Sequence, residues 1–274
     1  MTSIAVVIVS YEVRAELGRC LRALEEAGFA APGGEVVVVD NASTDGTAMR
    51  VREEHPWVQL VARPDNRGFS AGVNEGVRHT TARHVLLLNP DTEVPLGCLP
   101  LLRAAAERCE GAGVIGFRHV DGDGQFQLSV GLWPSLPSEL LRRVVQRRLD
   151  AGDSRVRALC QHFLRQPRAI AWVSGSAMLV RRDTFEAVQG FDERYFLYFE
   201  DMDFCLRVWA TGARVVFDPS LTLLHHRGRS AAKSPERAAR AYRESQLRFW
   251  RTHKGAIQAR LVEAYLRWSG KHPA

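Results

Sequence analysis

The stretch EVVVVDNASTDGT, residues 35–47, indicates the fold class of this chain. Its four consecutive valines are typical of a parallel strand that is buried on both faces. The strand ends at Asp40, and the polar residues 41–46 predict a loop that leads into a helix. A buried strand, a polar loop and a helix form one unit of an α/β protein, in which ligands bind at the carboxyl ends of the strands.

The same unit recurs on both sides of this stretch. Further buried strands are predicted at 4–9, 58–61, 85–88 and 113–117. The segments between them have helical periodicity, with Leu17, Leu21 and Leu24 on one face of the first helix. A glycine-bearing loop at 66–70 opens another helix, and a further helix is predicted at 95–108. The alternation predicts an α/β fold with a mostly parallel sheet flanked by helices.

The second half of the chain has a different pattern. Residues 121–170 are rich in glycine, proline and arginine, and they include an amphipathic basic stretch at 140–148. Short elements are predicted at 177–180, 182–188 and 215–217, with a helix that begins at Glu200 and a loop at 225–230. From Ser234, with Pro235 in the first turn, one long helix is predicted. Its expected apolar face comprises Tyr242, Phe249, Trp250, Leu261 and Tyr265.

Composition limits the functional classes. The chain has 274 residues, 46% of them hydrophobic, and a formal net charge of +6. This excess fits anionic ligands such as sugar nucleotides or lipid headgroups, and it equally fits a GC-rich codon bias. We expect no nucleic-acid partner, because the basic residues are not interleaved with a recognisable aromatic or helix-turn-helix reader.

The cysteines and the apolar runs bear on location. Five scattered cysteines without a CxxC motif argue against a disulfide framework or a zinc knuckle, and for a reducing cytoplasm. The amino-terminal apolar run lacks a basic flank and predicts a strand rather than a signal peptide. No stretch approaches the roughly 20 apolar residues of a membrane span. A soluble or peripheral cytoplasmic protein is expected.

Two acidic loops follow predicted strands. Asp91, in Asn89-Pro90-Asp91, is placed to hold a hard divalent cation beside a diphosphate, or alternatively to cap the helix expected near Pro95. Asp40 is placed to accept the imide N–H of a uracil or thymine ring. Asp45 is more simply a helix cap.

Glu200, Asp201 and Asp203 form the densest acidic cluster of the sequence. Neighbouring carboxylates raise each other's pKa, which can adapt one of them as a general base. They would also complement a helix dipole. Arg207, four residues after Asp203, indicates a structural ion pair for that residue, so Asp201 is the candidate base. His225 is a candidate metal ligand, although loop histidines are often surface residues.

Taken in order, several segments resemble the inverting glycosyltransferases of family 2, and most closely the rhamnosyltransferase-like branch. The resemblance covers about residues 4–230. The matching segments are VIVSY at 7–11, VDNASTDGT at 39–47, NRGFSAGVN at 66–74, LLNPD at 87–91, GSAMLVRR at 175–182, GFDE at 190–193 and EDMD at 200–203.

This resemblance implies a GT-A fold and a set of site residues. It assigns Asp201 as the catalytic base and places a divalent cation, Mg²⁺ or Mn²⁺, on Asp91 and His225. The expected nucleotide-binding residues are Ser10, Tyr11, Glu12, Asp40, Arg67 and Asn89. The expected acceptor-binding residues are Gly175, Ser176 and Glu200. Trp172, just before this segment, is placed either to stack on an acceptor sugar or to lie in the core. One departure matters: Asn89 replaces the first aspartate of the family's DxD motif, which leaves one carboxylate fewer for the cation.

The resemblance also implies an organisation and partners. Residues 1–118 would form the nucleotide-sugar-binding half of a single domain, 119–232 the acceptor and catalytic half, and 233–274 a helical extension. The donor would be a dTDP- or UDP-sugar, with rhamnose as the candidate sugar, and the acceptor a hydroxyl of a saccharide or lipid-linked glycan. Residues 121–170 would serve as a lid, a homodimer contact or a patch that faces the inner side of the membrane.

The same residues bear on three other functions. A nicotinamide oxidoreductase is disfavoured because no GxGxxG follows the first strand, where Ser10-Tyr11-Glu12 stands instead. An aspartyl phosphatase would need its DxD after the first strand. A non-catalytic module that binds nucleotide sugars or polysaccharides stays open, since such a module would not depend on Asp201 for turnover.

Overall fold

The computed structural model describes residues 3–226 and 235–270. In these residues the strands are β1 Ile4–Ser10, β2 Glu35–Asp40, β3 Gln59–Ala62, β4 His84–Leu88, β5 Thr92–Glu93, β6 Ala112–Val120, β7 Phe126–Gln127, β8 Val130–Gly131, β9 Arg168–Ala169, β10 Trp172–Val173, β11 Ala177–Arg181 and β12 Arg214–His225. The helices are α1 Arg14–Glu26, α2 Thr47–Glu54, α3 Phe69–Arg78, α4 Cys98–Arg108, α5 Leu136–Asp150, α6 Ser154–Phe163, α7 Arg182–Ala187, α8 Glu200–Ala210, α9 Pro235–His253 and α10 Gly255–Trp268.

One sheet runs through the described chain in the order β3-β2-β1-β4-β11-β6-β12-β5, with β7 beside β6 and β9 beside β12. The strands β3, β2, β1 and β4 are parallel neighbours, as the strand–helix alternation predicts. The strand β11 is antiparallel to both β4 and β6. Since β11 comes from the second half of the chain, the two predicted halves share one sheet.

The sheet is covered on both faces. Alternate residues of β1 and β2 enter two separate cores, as the period of two along a strand requires. Val6 and Ile8 belong to the core formed with α1 and α4, whereas Val7 and Val9 belong to the core formed with α3 and α8. Because β1 is buried along its whole length, its carboxyl end is held rigidly at the edge of the sheet where the acidic loops lie.

The carboxyl-terminal helix prediction was wrong in one respect. The single long helix is two helices, α9 and α10, separated at Lys254, and Gly255 has a φ of +73°. Consequently Leu261 and Tyr265 are exposed, and Val262 and Leu266 are the buried residues of α10. The apolar spacing continues across the break, so periodicity alone did not reveal it. The predicted start at Ser234 lies outside the described residues, as do residues 227–230 of the predicted loop.

Other bounds differ more modestly. The late strand predicted at 215–217 is the twelve-residue β12, and the helix expected from 95 begins at Cys98. Residues 121–170 contain the helices α5 and α6. The five cysteine thiols form no disulfide with one another. No helix of the described residues is long and apolar enough to cross a bilayer.

Candidate active site

A cavity of about 490 Å³ opens at the carboxyl ends of the central strands. The loops after β1, β2 and β4 supply one side of its wall, and the start of α8 supplies the other. The helices α5 and α9 complete the wall. The residues predicted from sequence that line it are Ser10, Tyr11, Asn89, Asp91, Trp172, Gly175, Ser176, Glu200, Asp201 and His225.

The backbone is strained around this cavity. Among the described residues, five non-glycine residues have positive φ, and four of them lie in the segments that form the cavity: Glu12, Ala42, Tyr198 and Phe199. Such conformations cost of order 1–3 kcal/mol each and persist where the surrounding structure enforces them. Tyr198 and Phe199 directly precede α8, so the strained turn sets the position of the acidic pair at its first turn.

Asp40 is buried at the end of β2 and is hydrogen-bonded within the protein. Its Oδ1 accepts from the hydroxyls of Ser10 (3.0 Å) and Ser43 (2.6 Å), and its Oδ2 accepts from the backbone N–H of Ser43 (3.0 Å). Asp40 does not line the cavity, whereas the next residue, Asn41, does. Asp40 therefore fixes the end of β1 to the loop after β2. Asn41, which sequence reasoning missed, presents the polar side chain.

Glu12 and Arg67 are also outside the cavity lining. The Glu12 carboxylate accepts from the backbone N–H (2.6 Å) and the hydroxyl (2.9 Å) of Thr44. The Arg67 guanidinium pairs with Glu193 at 3.0 Å and is 56% exposed. In this arrangement both side chains bind protein groups.

Asp91 and His225 lie side by side in the cavity wall. Asp91 follows β4 and is buried, and its Oδ1 is 3.4 Å from Nε2 of His225, the last residue of β12. The backbone N–H of His226 also donates to the carbonyl of Asp91. Asp91 does not cap a helix, because the next helix begins seven residues later, at Cys98.

The orientation of His225 is set by Gln127, a residue that sequence reasoning missed. The Gln127 side-chain N–H donates to the His225 carbonyl at 2.8 Å, which fixes which end of the amide is oxygen. That oxygen then lies 3.1 Å from Nδ1 of His225, so Nδ1 must be the protonated ring nitrogen that donates to it. In the neutral ring, Nε2 therefore carries a lone pair directed toward the Asp91 carboxylate.

The Asp91 carboxylate and the lone pair on Nε2 of His225 face each other. Two such groups can bind a cation between them. Mg²⁺ is commonly bound through one or two protein side chains together with substrate phosphates, so a pair of protein ligands is enough for such a site. Histidine ligands typically donate their other ring N–H to a second group, as His225 does to Gln127. The described residues contain no cluster of three or more His, Cys, Asp or Glu side chains able to hold a metal. The residues present fit a cation shared with a diphosphate.

Asp201 lies at the first turn of α8. Its Oδ2 accepts from the backbone N–H of Gly175 (3.1 Å) and its Oδ1 from that of Met202 (2.7 Å). Burial raises the pKa of Asp201 above its ordinary value, and the hydrogen bond from Gly175 is the largest opposing effect. Arg142, in the same cavity, also lowers this pKa.

Glu200 differs from Asp201 in its surroundings. Its pKa is raised well above the ordinary value by burial and by the charge of Asp201, and its Oε2 has no hydrogen-bond partner within the described chain. Two buried neighbouring carboxyl groups do not readily ionise together. Since Asp201 accepts two backbone N–H groups, the negative charge is better stabilised on Asp201 and the proton on Glu200.

Asp203 has a structural role, as its spacing to Arg207 indicates. Its carboxylate is 2.8 Å from Nε of Arg207 and 2.7 Å from Nε2 of His253. Arg207 also donates to the carbonyls of Val188 and Gly190. Asp203 thus ties α8 to α9 and to the loop after α7, and it does not line the cavity.

Side chains of α5 and α9 line the cavity near Trp172. The sequence did not reveal that these helices contribute to the cavity. Arg142 of α5 lies 5.8 Å from the ring of Trp172, and Tyr242 of α9 lines the same cavity. Trp172 is only 8% exposed, and Gly131 lies so close to it that a Cβ at this position would clash with the indole. The amphipathic pattern of α5 was visible, but nothing in it specified which side faces the cavity.

Comparison with known proteins finds similarity to glycosyltransferases. The family described as glycosyl transferase family 2 matches residues 5–168. An N-acetylglucosaminyl-diphospho-decaprenol L-rhamnosyltransferase of Mycobacterium tuberculosis is 31% identical over 251 residues, covering 88% of this chain and 81% of the relative. Rhamnosyltransferase WbbL of Escherichia coli is 44% identical over 57 residues, covering 21% of this chain and 22% of the relative.

Solved structures share the fold. A mannosyltransferase from Pyrobaculum calidifontis in complex with GDP-Man and Mn²⁺ has a TM-score of 0.60 and 21% identity, covering 96% of this chain and 69% of that one. Staphylococcus aureus TarS 1–349 in complex with UDP-GlcNAc has a TM-score of 0.60 and 14% identity, covering 99% and 72%. The predicted GT-A fold is confirmed.

Proposed function

The chain belongs to glycosyl transferase family 2 and is a rhamnosyltransferase-like glycosyltransferase, and we propose that it transfers a sugar from a dTDP- or UDP-sugar to an acceptor hydroxyl with inversion. One observation carries this proposal: the Asp91–His225 pair and the Asp201 carboxylate line a single cavity at the carboxyl ends of the parallel strands. A leaving diphosphate and an attacking hydroxyl need such opposed groups within one site.

The donor would bind on the side formed by β1, β2 and β4. Ser10, Tyr11 and Asn41 line that side and would contact the nucleoside. Asp91 and His225 would hold Mg²⁺ or Mn²⁺, as relatives of the same fold were solved with Mn²⁺. The cation would offset the charge of the departing nucleoside diphosphate. Asn89, a neutral side chain in the same wall, would donate a hydrogen bond to a phosphate oxygen or coordinate the cation through its amide oxygen.

The acceptor would bind on the side of α8. Asp201, ionised and held by Gly175 and Met202, would take the proton of the acceptor hydroxyl as its oxygen attacks the anomeric carbon. The new glycosidic bond forms as the bond to the diphosphate oxygen breaks, and the proton leaves Asp201 for solvent afterwards. A single displacement inverts the anomeric configuration. Glu200, protonated, would donate a hydrogen bond to an acceptor oxygen.

The acceptor class is suggested by a relative. The Mycobacterium tuberculosis protein is named for a decaprenyl diphosphate that carries N-acetylglucosamine and for L-rhamnose transfer. We therefore propose L-rhamnose as the sugar and a lipid-linked amino sugar as the acceptor, which would place the protein in envelope polysaccharide assembly on the cytoplasmic side of the membrane. Residues 1–118 would serve the donor, 119–232 the acceptor, and 233–274 would cover the cavity through Arg237 and Tyr242.

The test is a transfer assay with product analysis. Purified protein is incubated with dTDP-L-rhamnose or with UDP-sugars, Mn²⁺ and a short-chain prenyl diphosphate that carries N-acetylglucosamine. We expect a product whose new linkage, measured by NMR, has the anomeric configuration opposite to that of the donor. Retention of configuration would overturn the mechanism. Binding of donor with no transfer to any acceptor would favour the non-catalytic binding module.

A further inference from the structure

One surface of the second half combines exposed apolar side chains with arginines. Eight of the fifteen large hydrophobic side chains that are exposed in the described residues lie between 132 and 163. We name them the α5–α6 surface: Leu132, Trp133, Leu136, Leu140, Leu141, Val144, Leu159 and Phe163. Exposed apolar side chains concentrated in this way generally mark an interaction site.

The apolar residues of α5 occupy its outward side. Leu136, Leu140 and Val144 recur every four residues and are exposed, with Leu140 at 65%. Arg142 and Gln146, about half a turn away, line the cavity instead. On α6, Leu159 and Phe163 are likewise four residues apart and exposed, and no residue of this helix is buried. Both helices therefore present an apolar side that the rest of the described chain does not cover.

The charge of the same segment is strongly positive. Residues 132–168 contain eight arginines and three acidic residues, so they supply most of the excess charge of the chain. Arg147, Arg155 and Arg165 are exposed and have no ion pair within the described residues. By helical spacing, Arg147 lies on the outward side of α5 beside Leu140 and Val144. Arg155 begins the stripe that continues through Leu159 and Phe163.

We propose that the α5–α6 surface docks on a bilayer that contains anionic phospholipids. Helices that lie in a membrane interface combine leucine and aromatic side chains with basic residues, as these two helices do. Each basic residue near an anionic bilayer contributes about 1 kcal/mol to binding. A second copy of the chain is a poorer occupant, because a two-fold contact would bring the same arginines of both copies together.

This docking would place the site beside the lipid. The outward side of α5 would contact the bilayer, while Arg142 and Gln146 of the same helix line the cavity. A lipid-linked acceptor could then enter the cavity without leaving the membrane. This last step rests on the proposed function, whereas the binding of the surface to lipid does not.

The experiment is flotation of the full chain with vesicles in a density gradient. One set contains phosphatidylglycerol and phosphatidylcholine in equal amounts, and the other only phosphatidylcholine. We expect the protein to float with the anionic vesicles and to be released as NaCl is raised from 0.05 to 0.5 M, concentrations on the order of those that screen surface charge.

Two variant pairs locate the contact. Leu140→Glu with Leu141→Glu, and separately Arg147→Glu with Arg155→Glu, should each weaken binding by about tenfold or more. The matched controls place the same changes elsewhere: Ile257→Glu with Leu261→Glu, both exposed on α10, and Arg52→Glu with Arg260→Glu. The controls should bind vesicles as the unaltered protein does. Circular dichroism checks that all four are folded.

Several results would overturn the proposal. These are absence of binding to anionic vesicles, equal losses in the test and control variants, or a dimer in sedimentation that Leu140→Glu with Leu141→Glu dissociates. Titration of the same preparations with UDP and dTDP separates the two inferences. If flotation is absent and nucleotide binding is intact, only the docking of the α5–α6 surface on lipid is rejected. If the protein floats but binds no nucleotide, only the proposed function is rejected.

Discussion

Replacing Asp201 with asparagine should abolish proton transfer while leaving the donor site intact. Loss of a general base typically lowers turnover by about 10²–10⁴-fold. Asp201 accepts backbone N–H groups from Gly175 and Met202. Asparagine keeps one acceptor and turns its own N–H₂ toward the other donor, which costs about 1–3 kcal/mol of stability. Removal of a buried charge offsets part of this cost, so the variant should remain folded.

The matched control is Asp203→Asn, two residues along the same helix. Asp203 is buried and paired with Arg207 and His253, so breaking these pairs should cost about 3–5 kcal/mol in the free energy of unfolding. Turnover per folded molecule should be preserved, because Asp203 does not line the cavity.

The assay is release of nucleoside diphosphate at saturating donor and acceptor, with thermal unfolding and calorimetric nucleotide binding measured on the same samples. We expect Asp201→Asn to lose turnover with unchanged nucleotide affinity, and Asp203→Asn to lose stability with retained turnover. Near-normal turnover of Asp201→Asn would refute the assignment of the base. The same refutation would follow if Asp203→Asn, studied well below its Tm, lost turnover to the same extent.

Three further variants each change one buried residue. Gln127→Leu frees the His225 ring and should weaken nucleotide binding in Mn²⁺ by about 10–100-fold in calorimetry. Burial raises the pKa of Glu200, so the native state binds this proton more tightly than the unfolded chain, and stability falls as pH rises through the native pKa. Glu200→Gln should therefore raise Tm at pH 8 and show a smaller gain at pH 5. Gly131→Ala forces the Trp172 indole to move and should destabilise the fold by about 1–3 kcal/mol in urea unfolding while raising KM for the acceptor.

Each of these three predictions has an outcome that would contradict it. A Gln127→Leu protein with unchanged affinity in Mn²⁺ would mean that His225 needs no orienting partner or binds no metal. A Tm gain for Glu200→Gln that is the same at pH 5 and pH 8 would contradict a raised pKa as its source. For Gly131→Ala, Gly122→Ala is a control, since a Cβ at Gly122 meets no atom within 4 Å. Equal effects of the two changes would reject the role of the contact with Trp172.

The sequence predicted what local patterns encode. The valines of β1 and β2 indicated buried parallel strands, and the spacing of Asp203 and Arg207 indicated their ion pair, because both depend on residues near one another in the chain. Gln127 and His225 are 98 residues apart, and no local pattern of either residue signals their contact. For this reason the partner that orients His225 became visible only in the folded chain.

Contacts between distant residues also decide the position of the Asp40 side chain, although the segment 39–47 was recognised from its sequence. The end of β2 was correctly located, but the two residues that donate hydrogen bonds to the Asp40 carboxylate, Ser43 and Ser10, include one that is 30 residues away. The direction of a side chain at a strand end depends on such neighbours, and it decided that Asn41 rather than Asp40 lines the cavity. The break at Gly255 was missed because the apolar spacing of the two helices continues through it.

The most direct measurement is calorimetric titration of the protein with UDP and with dTDP, each in Mn²⁺, Mg²⁺ or EDTA, repeated with Asp91→Ala. The proposed site predicts that one of the nucleotides binds in the presence of a divalent cation, and that EDTA and Asp91→Ala each abolish this binding. Equal binding in EDTA, or binding that survives in Asp91→Ala, would contradict a cation site at Asp91 and His225. Absence of binding under every condition would contradict the donor site itself.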